Sequence, residues 1–122
     1  MKYLLLIHSN PANWAHPMFL HQDEELTEEQ RTARMAQFTE LINELAETGE
    51  LRYSAPLAEP EHSRMVRVRD SVPVVTDGPF VDAKEHLAGF FVIDCADEQR
   101  ALAIAARFPD AAHGGVEVRP IA

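Results

Sequence analysis

The chain has 122 residues, of which 46% are hydrophobic and 25% charged, and its formal net charge at pH 7 is -9. This composition is typical of one globular domain with its own core, so we expect a single domain over residues 1–122. The excess of acidic side chains would repel a phosphate backbone, which argues against nucleic-acid binding. Cys95 is the single cysteine and excludes a disulfide within the chain. The apolar runs are far shorter than the roughly 20 residues that span a bilayer, so we expect a cytoplasmic protein without membrane contact.

The first elements along the chain are a strand and a helix, separated by an irregular segment. Residues 2–8 predict a strand with apolar side chains on both of its faces. The irregular segment covers residues 9–25 and could lie over a pocket. Thr27 with Gln30 predicts a capping box at the start of the helix, and Gly49 predicts its end. The buried face of this helix is predicted to contain Met35, Phe38, Ile42 and Leu45.

The remainder of the chain predicts further strands and a second helix. The strands are expected at residues 51–55, 65–69, 72–76, 89–94 and 116–119. The first three of them are interpreted as a β-meander, with a tight Asp70-Ser71 connection inside it. Asp97 can cap the second helix and Pro109 can end it. The order β-α-β-β-β-β-α-β predicts an α+β fold, a ferredoxin-like split βαβ arrangement with an inserted β-hairpin.

The pattern of apolar residues also predicts a partner for the sheet. Two amphipathic helices can cover only one face of such a sheet, yet the strands at residues 4–7 and 90–93 are apolar on both faces. A second copy of the chain, packing sheet against sheet, is the simplest cover. We therefore expect a homodimer.

Three segments carry a family resemblance. They are the start of the chain, the tetrad Asp77-Gly78-Pro79-Phe80 with the residues after it up to Phe90, and Val116-Glu117-Val118-Arg119-Pro120. Together they resemble the DGPF-domain branch of the YCII-like family, over essentially the whole chain. The resemblance implies a dimeric α+β barrel with a cleft between the sheet and the partner. The biochemical role of that family is largely unassigned.

The resemblance does not carry a reaction to this chain. Some YCII-like members act on hydroxylated aromatics, and a His on the first helix with an Asp in an Asp-Pro turn after the second helix is proposed as catalytic there. Here the first half of the first helix has no histidine, and Phe108 precedes Pro109 where the Asp would stand. DGPF-type proteins are also often encoded beside extracytoplasmic-function sigma factors, which implies a regulatory association with such a factor.

His8 and Asp77 are the candidate catalytic residues. His8 ends the first strand on the face of Leu4 and Leu6, where it is either a hydrogen-bonded rim histidine or a general base at a cleft mouth. Asp77 begins the Asp-Gly-Pro-Phe tetrad, whose turn chemistry alone can explain it. The alternative is an aspartate that faces a ligand and acts as a base.

The ligand-binding candidates are Phe80, Lys84, Glu85, Arg119 and Trp14. Phe80 could line a cleft, Lys84 could bind an anion and Glu85 could act as an acid or base, whereas a solvated turn is the plain alternative. Arg119 could hold a carboxylate through its bidentate fork, or it could lie on a solvated outer face. Trp14 is interpreted as a lid or a dimer-packing anchor.

We predict neither a metal site nor a cofactor. The irregular segment contains His16, His21, Asp23 and Glu24, but no histidine pair has the i, i+4 spacing that aligns two imidazoles on a helix. Ligands at arbitrary loop spacings need rigid support from neighbouring groups, which this pattern does not indicate.

Three functions fit these observations. The first is a small cytoplasmic homodimer that binds a small organic ligand in a cleft on the sheet. The second is an enzyme of lyase or hydrolase type that uses acid-base chemistry in the same cleft. The third is a regulatory partner of an extracytoplasmic-function sigma factor. The sequence leaves open whether the protein is catalytic.

Overall fold

The structure is a computed structural model that describes residues 1–9, 27–78, 86–112 and 115–122. The described residues form an α+β fold with six strands and two α-helices. The strands are β1 (Lys2–Ser9), β2 (Leu51–Pro56), β3 (Arg64–Arg69), β4 (Val72–Asp77), β5 (His86–Asp94) and β6 (Val116–Pro120), and the helices are α1 (Glu28–Thr48) and α2 (Glu98–Ala106). Every predicted helix and strand is present, although β5 begins earlier than residue 89. No helix within the described residues is both long and apolar enough to cross a membrane.

Four strands form one antiparallel sheet in the order β2-β5-β1-β6. Strand β5 lies between β1 and β2, which is the split βαβ arrangement of a ferredoxin-like fold. Strands β3 and β4 form a separate two-stranded sheet, the predicted inserted hairpin.

The predicted β-meander is wrong, because β2 pairs with β5 and not with β3. Between β2 and β3 the chain makes a short 3-10 helix, Pro60–His62, with the proline at its start. The chain passes through this turn before β3 begins, and β2 pairs with β5. Short-range patterns identify strands but not their partners, since pairing depends on where the intervening turns lead the chain.

The helix ends follow the predicted local chemistry. The Thr27 hydroxyl accepts a hydrogen bond from the Gln30 amide at 3.1 Å, and the Gln30 side chain accepts one from the Thr27 amide at 2.9 Å. Gly49 follows α1 in the left-handed region with φ 80°, where a residue without Cβ is favoured. Asp97 caps α2 by accepting from the Arg100 amide at 2.9 Å. All of these caps were predicted and are confirmed.

Both helices pack on one face of the four-stranded sheet, which we call the first face. The core there consists of Tyr3, Leu5, Ile7, Leu41, Leu45, Ala88, Phe91, Ile93, Cys95, Ala101, Ile104, Ala105 and Phe108. On α1, Leu45 is fully buried as predicted, Leu41 is fully buried as well, and Met35, Phe38 and Ile42 lie partly buried around them. The alternating side chains of β1 and β5 therefore point to the other face, which neither helix covers.

The β3–β4 hairpin is closed by the predicted Asp70-Ser71 turn. Both residues have positive φ, 52° and 64°, as a two-residue type I′ hairpin turn requires. At the opposite end of the hairpin, the Gly78 amide donates to the Ser63 carbonyl at 2.8 Å. The hairpin is thus held by a tight turn at one end and by the Ser63–Gly78 contact at the other.

Gly78, the glycine of the tetrad, is required by this close approach. A Cβ at position 78 would lie 2.7 Å from the Ser63 Cβ and 3.0 Å from the Ser63 carbonyl carbon and oxygen. We expect Gly78→Ala to destabilise the fold by about 1–3 kcal/mol, because backbone at the hairpin base must shift to make room. Urea denaturation followed by circular dichroism measures the change.

The matched control removes the side chain that alanine would meet. In the double variant Ser63→Gly, Gly78→Ala, the Cβ contact is gone while the backbone contact stays, so part of the lost stability should return after correction for Ser63→Gly alone. If the double variant, after this correction, loses as much free energy of unfolding as Gly78→Ala, the Ser63 side chain is not the obstacle.

Candidate functional site

The second face of the sheet combines an apolar floor with charged groups at one edge. Its floor is formed by the outward side chains of β1 and β5, namely Leu4, Leu6, Phe90 and Val92. Register places Arg119 opposite Leu4 and Glu117 opposite Leu6 along β6. A floor of this kind, bordered by a few polar groups, is typical of small-molecule sites.

His8, Glu117 and Arg119 form a connected group at this edge. The His8 Nε2 lies 3.4 Å from one Glu117 carboxylate oxygen, and the Arg119 guanidinium donates to the other. His8 is partly buried, whereas the Arg119 side chain is largely exposed. Glu117 therefore holds an imidazole and a guanidinium on the same face of the sheet.

The electrostatics of the group favour an ionised Glu117. The hydrogen bond from Arg119 lowers the pKa of Glu117, partial burial opposes that effect, and the neighbouring His8 imidazole lowers the pKa further. A carboxylate that stays ionised can accept from His8 and orient its ring. The arrangement can position an imidazole for hydrogen bonding or proton transfer, and a guanidinium for an anion.

The other side of the second face is aromatic. On edge strand β2, Ala55 is opposite Phe90 and Tyr53 is opposite Val92. The rings of Tyr53 and Phe90 lie with their centroids 5.9 Å apart, and Tyr53 is well exposed. The apolar floor thus extends from β1 across β5 to an exposed aromatic ring on β2.

Comparison with known proteins assigns the family. Residues 1–122 match the sequence profile of the YCII-related domain. The chain belongs to the YCII-related family. A relative from Rhizobium meliloti (strain 1021), the uncharacterized protein R00369, is 31% identical over 113 residues, which cover 88% of this chain and 91% of that protein. Because this relative is itself uncharacterized, it does not indicate which reaction, if any, this YCII-related protein catalyses.

In this YCII-related protein, two of the predicted site residues lie together and a third does not join them. Glu117 bridges His8 and Arg119. Asp77 lies instead at the end of β4 in the hairpin, where its carboxylate is 3.4 Å from Arg64 Nε and its side chain is 91% exposed. Asp77 thus pairs with Arg64 across the hairpin, and its role as a base stays a prediction.

The other predicted ligand-binding residues, Trp14, Phe80, Lys84 and Glu85, lie outside the described residues. The same is true of the irregular-segment group, which contains His16, His21, Asp23 and Glu24. Their assignments stay predictions.

Glu117 is the site residue that the sequence reasoning missed. The available signal was the period of two along β6, since Glu117 and Arg119 share the face opposite Val116 and Val118. Only the pairing of β6 with β1 shows that His8 shares this face.

One group in the described part of the chain has side chains close enough for a metal ion. The ligand atoms of Glu59, Glu61 and His62 lie within 4.8 Å of one another, and all three residues are exposed. Exposed acidic groups of this kind are common without an ion, so the group does not by itself indicate a metal site.

Proposed function

We propose that this YCII-related protein is a cytoplasmic homodimer that binds a small organic ligand in a cleft on the second face of its sheet. The observation that supports this function is that Glu117 contacts both His8 and Arg119 beside an apolar floor. Such a floor would hold the apolar part of a ligand, and the polar edge would orient it.

The distribution of apolar side chains supports the proposed dimer. Leu4, Phe90 and Val92 are partly exposed on a face that neither described helix covers, and Leu6 beside them is buried. A second copy packed on this face would remove apolar surface from water, at about 25 cal/mol per Å² of area buried. With two sheets facing each other the assembly would be a dimeric α+β barrel, and the cleft would lie between them.

The ligand that this site fits best is an organic anion. A guanidinium has five N–H donors, more than the bond from Arg119 to Glu117 uses. Arg119 can therefore bind a carboxylate or sulfonate while Glu117 holds it in place. Phe90 and Tyr53 offer aromatic surface to the apolar part of such a ligand.

The fluorescent aromatic sulfonate 8-anilinonaphthalene-1-sulfonate tests this function. We expect Arg119→Gln to weaken binding of this probe by about tenfold, which is the effect of losing about 1.4 kcal/mol from a charge-assisted contact. Fluorescence titration gives the dissociation constant. Arg31→Gln on α1 is the control with the same change of charge, and its binding should stay within twofold of the parent chain. Equal affinities in the two variants would contradict the anion site on β6.

An enzyme is the second candidate, and the 3.4 Å approach of His8 to Glu117 favours it. A carboxylate that orients an imidazole is the arrangement found where histidine acts as a general base. In an enzyme, His8→Gln would remove turnover of a substrate and leave its affinity unchanged, whereas in a binding protein the same variant would lower affinity. The sigma-factor association, implied by the resemblance alone, stays a prediction.

A further inference from the structure

The second face of the sheet carries a further cation, Lys2, at the start of β1. The next residue, Tyr3, belongs to the core on the first face. Because successive side chains of a strand point to opposite faces, Lys2 shares the second face with Leu4. Lys2 is exposed, so its ammonium is accessible from the apolar floor.

Strand register brings Lys2 close to Arg119. Arg119 is opposite Leu4 in the pairing of β6 with β1, and Lys2 is two residues before Leu4. Lys2 and Arg119 are therefore diagonal neighbours on the same face of an antiparallel pair. The Cα atoms of such neighbours are about 7–8 Å apart, which two long side chains can bridge. An ammonium and a guanidinium can thus contact one ligand from adjacent strands.

The carboxylate opposite Lys2 contacts other cations. Lys2 pairs in register with Asp94 on β5. One Asp94 oxygen lies 3.1 Å from the Met1 ammonium, and the other lies 3.6 Å from the Arg52 guanidinium. The Met1 ammonium, and with it Arg52 and Lys2, lowers the pKa of Asp94 against the opposing effect of partial burial. Since both Asp94 oxygens have cationic partners, the Lys2 ammonium is available to a ligand.

Positive charge collects at this end of the second face. Its described charged side chains are the bases Lys2, Arg52 and Arg119 and the acids Asp94 and Glu117. Bases thus exceed acids by one here, in a chain whose acids exceed its bases by nine. A locally positive site attracts anions although the chain as a whole repels them.

We propose that the ligand of the second face is an organic dianion whose two anionic groups lie at one end of an apolar body, with Arg119 holding one group and Lys2 the other. Arg119 binds a carboxylate through its planar fork, and Lys2 binds as a point charge. The apolar body then lies on the floor beside Leu4 and Val92. The proposal rests on the anion site in the proposed function and adds Lys2 as the residue that selects dianions over monoanions.

A matched pair of aromatic acids tests the selection. Naphthalene-2-carboxylate and naphthalene-2,3-dicarboxylate share one ring system, and the second compound has two adjacent carboxylates. Displacement of 8-anilinonaphthalene-1-sulfonate gives the dissociation constant of each acid. We expect the parent chain to bind the dicarboxylate about tenfold more tightly than the monocarboxylate. Repulsion by the acidic chain alone gives the opposite order, so equal or weaker binding of the dicarboxylate would overturn the proposal.

Variants at position 2 test whether the preference comes from the charge of Lys2. Lys2→Gln should bring the two dissociation constants to within about threefold of each other, whereas Lys2→Arg keeps the charge and should keep the preference. Arg31→Gln on α1 makes the same change of charge away from the sheet and should also keep it. If Lys2→Gln keeps the full preference while Arg119→Gln weakens binding of both acids, the role of Lys2 is refuted and the anion site stands. If Arg119→Gln binds all three probes as tightly as the parent chain, the anion site fails and the dianion fails with it.

Discussion

Replacing Phe91 with alanine is expected to lower the free energy of unfolding by about 3–5 kcal/mol, the loss typical of a buried phenylalanine. Phe91 lies at the centre of β5 and is almost completely buried on the first face. Its ring centroid is 4.8 Å from that of Phe108 and 6.0 Å from that of Phe38. The substitution therefore opens a cavity where β5, α1 and the end of α2 meet. Urea denaturation monitored by circular dichroism gives the change.

The neighbouring residue Val92 provides the control for this prediction. Val92 lies on the same strand but on the second face, where it is partly buried. Val92→Ala should lower the free energy of unfolding by about 1–2 kcal/mol, since it removes fewer apolar atoms from a less buried position. Comparable losses in Phe91→Ala and Val92→Ala would contradict the assignment of the core to the first face.

The second large effect is expected at Glu50, the residue between α1 and β2. The Arg100 guanidinium donates to both Glu50 carboxylate oxygens, from Nε at 2.9 Å and from Nη2 at 2.8 Å. The Glu50 side chain is only 15% exposed. Because Glu50→Gln breaks a bidentate pair that joins the α1–β2 connection to α2, we expect a loss of about 2 kcal/mol in the free energy of unfolding.

The same pair makes stability depend on pH. The hydrogen bond from Arg100 lowers the pKa of Glu50 against the opposing effect of burial, so the folded state binds the proton more weakly than the unfolded state. The contribution of Glu50 is therefore full above about pH 4.3, the ordinary pKa of a glutamate, and is lost as the pH falls further toward the folded-state pKa. Stability of the parent chain should decrease in that range more steeply than stability of Glu50→Gln.

Glu44 and Arg107 form the matched control for the Glu50 pair. This second glutamate-arginine pair joins α1 to the end of α2, but both side chains are more than a third exposed. Water screens an exposed pair, so Glu44→Gln should change the free energy of unfolding by less than about 1 kcal/mol. If Glu44→Gln and Glu50→Gln lose equal stability, burial does not explain the strength of the Glu50 pair.

The local structure could be read from the sequence because its causes are local. Thr27 with Gln30, Gly49 and Asp97 act on backbone groups a few residues away, and each cap is found where it was predicted. The Asp70-Ser71 turn has the same origin. Alternation in β1 also predicted that the sheet has two apolar faces, because side chains two residues apart always share a face.

Strand pairing and the candidate site were decided by the tertiary structure. The predicted β-meander failed because β2 pairs with β5, a strand more than thirty residues away in the chain. The same kind of long-range pairing brings β6 beside β1, and this places Glu117 within reach of His8. Neither the β2–β5 pairing nor the β6–β1 pairing can be predicted from neighbouring residues in the sequence, because each depends on the order of the strands in the sheet.

Gly78 of the tetrad shows both what the sequence predicts and what only the tertiary structure explains. Its composition predicted a turn at Asp77 and Gly78, and the sequence by itself determined that a residue without Cβ stands at position 78. The reason for that glycine is Ser63, fifteen residues earlier in the chain, whose Cβ lies 2.7 Å and whose backbone lies 3.0 Å from where a Cβ at position 78 would be. The sequence thus determined the elements, their caps and their apolar faces, which depend on neighbours along the chain. Only the tertiary structure decided which strands and side chains meet, because those contacts depend on packing between distant segments.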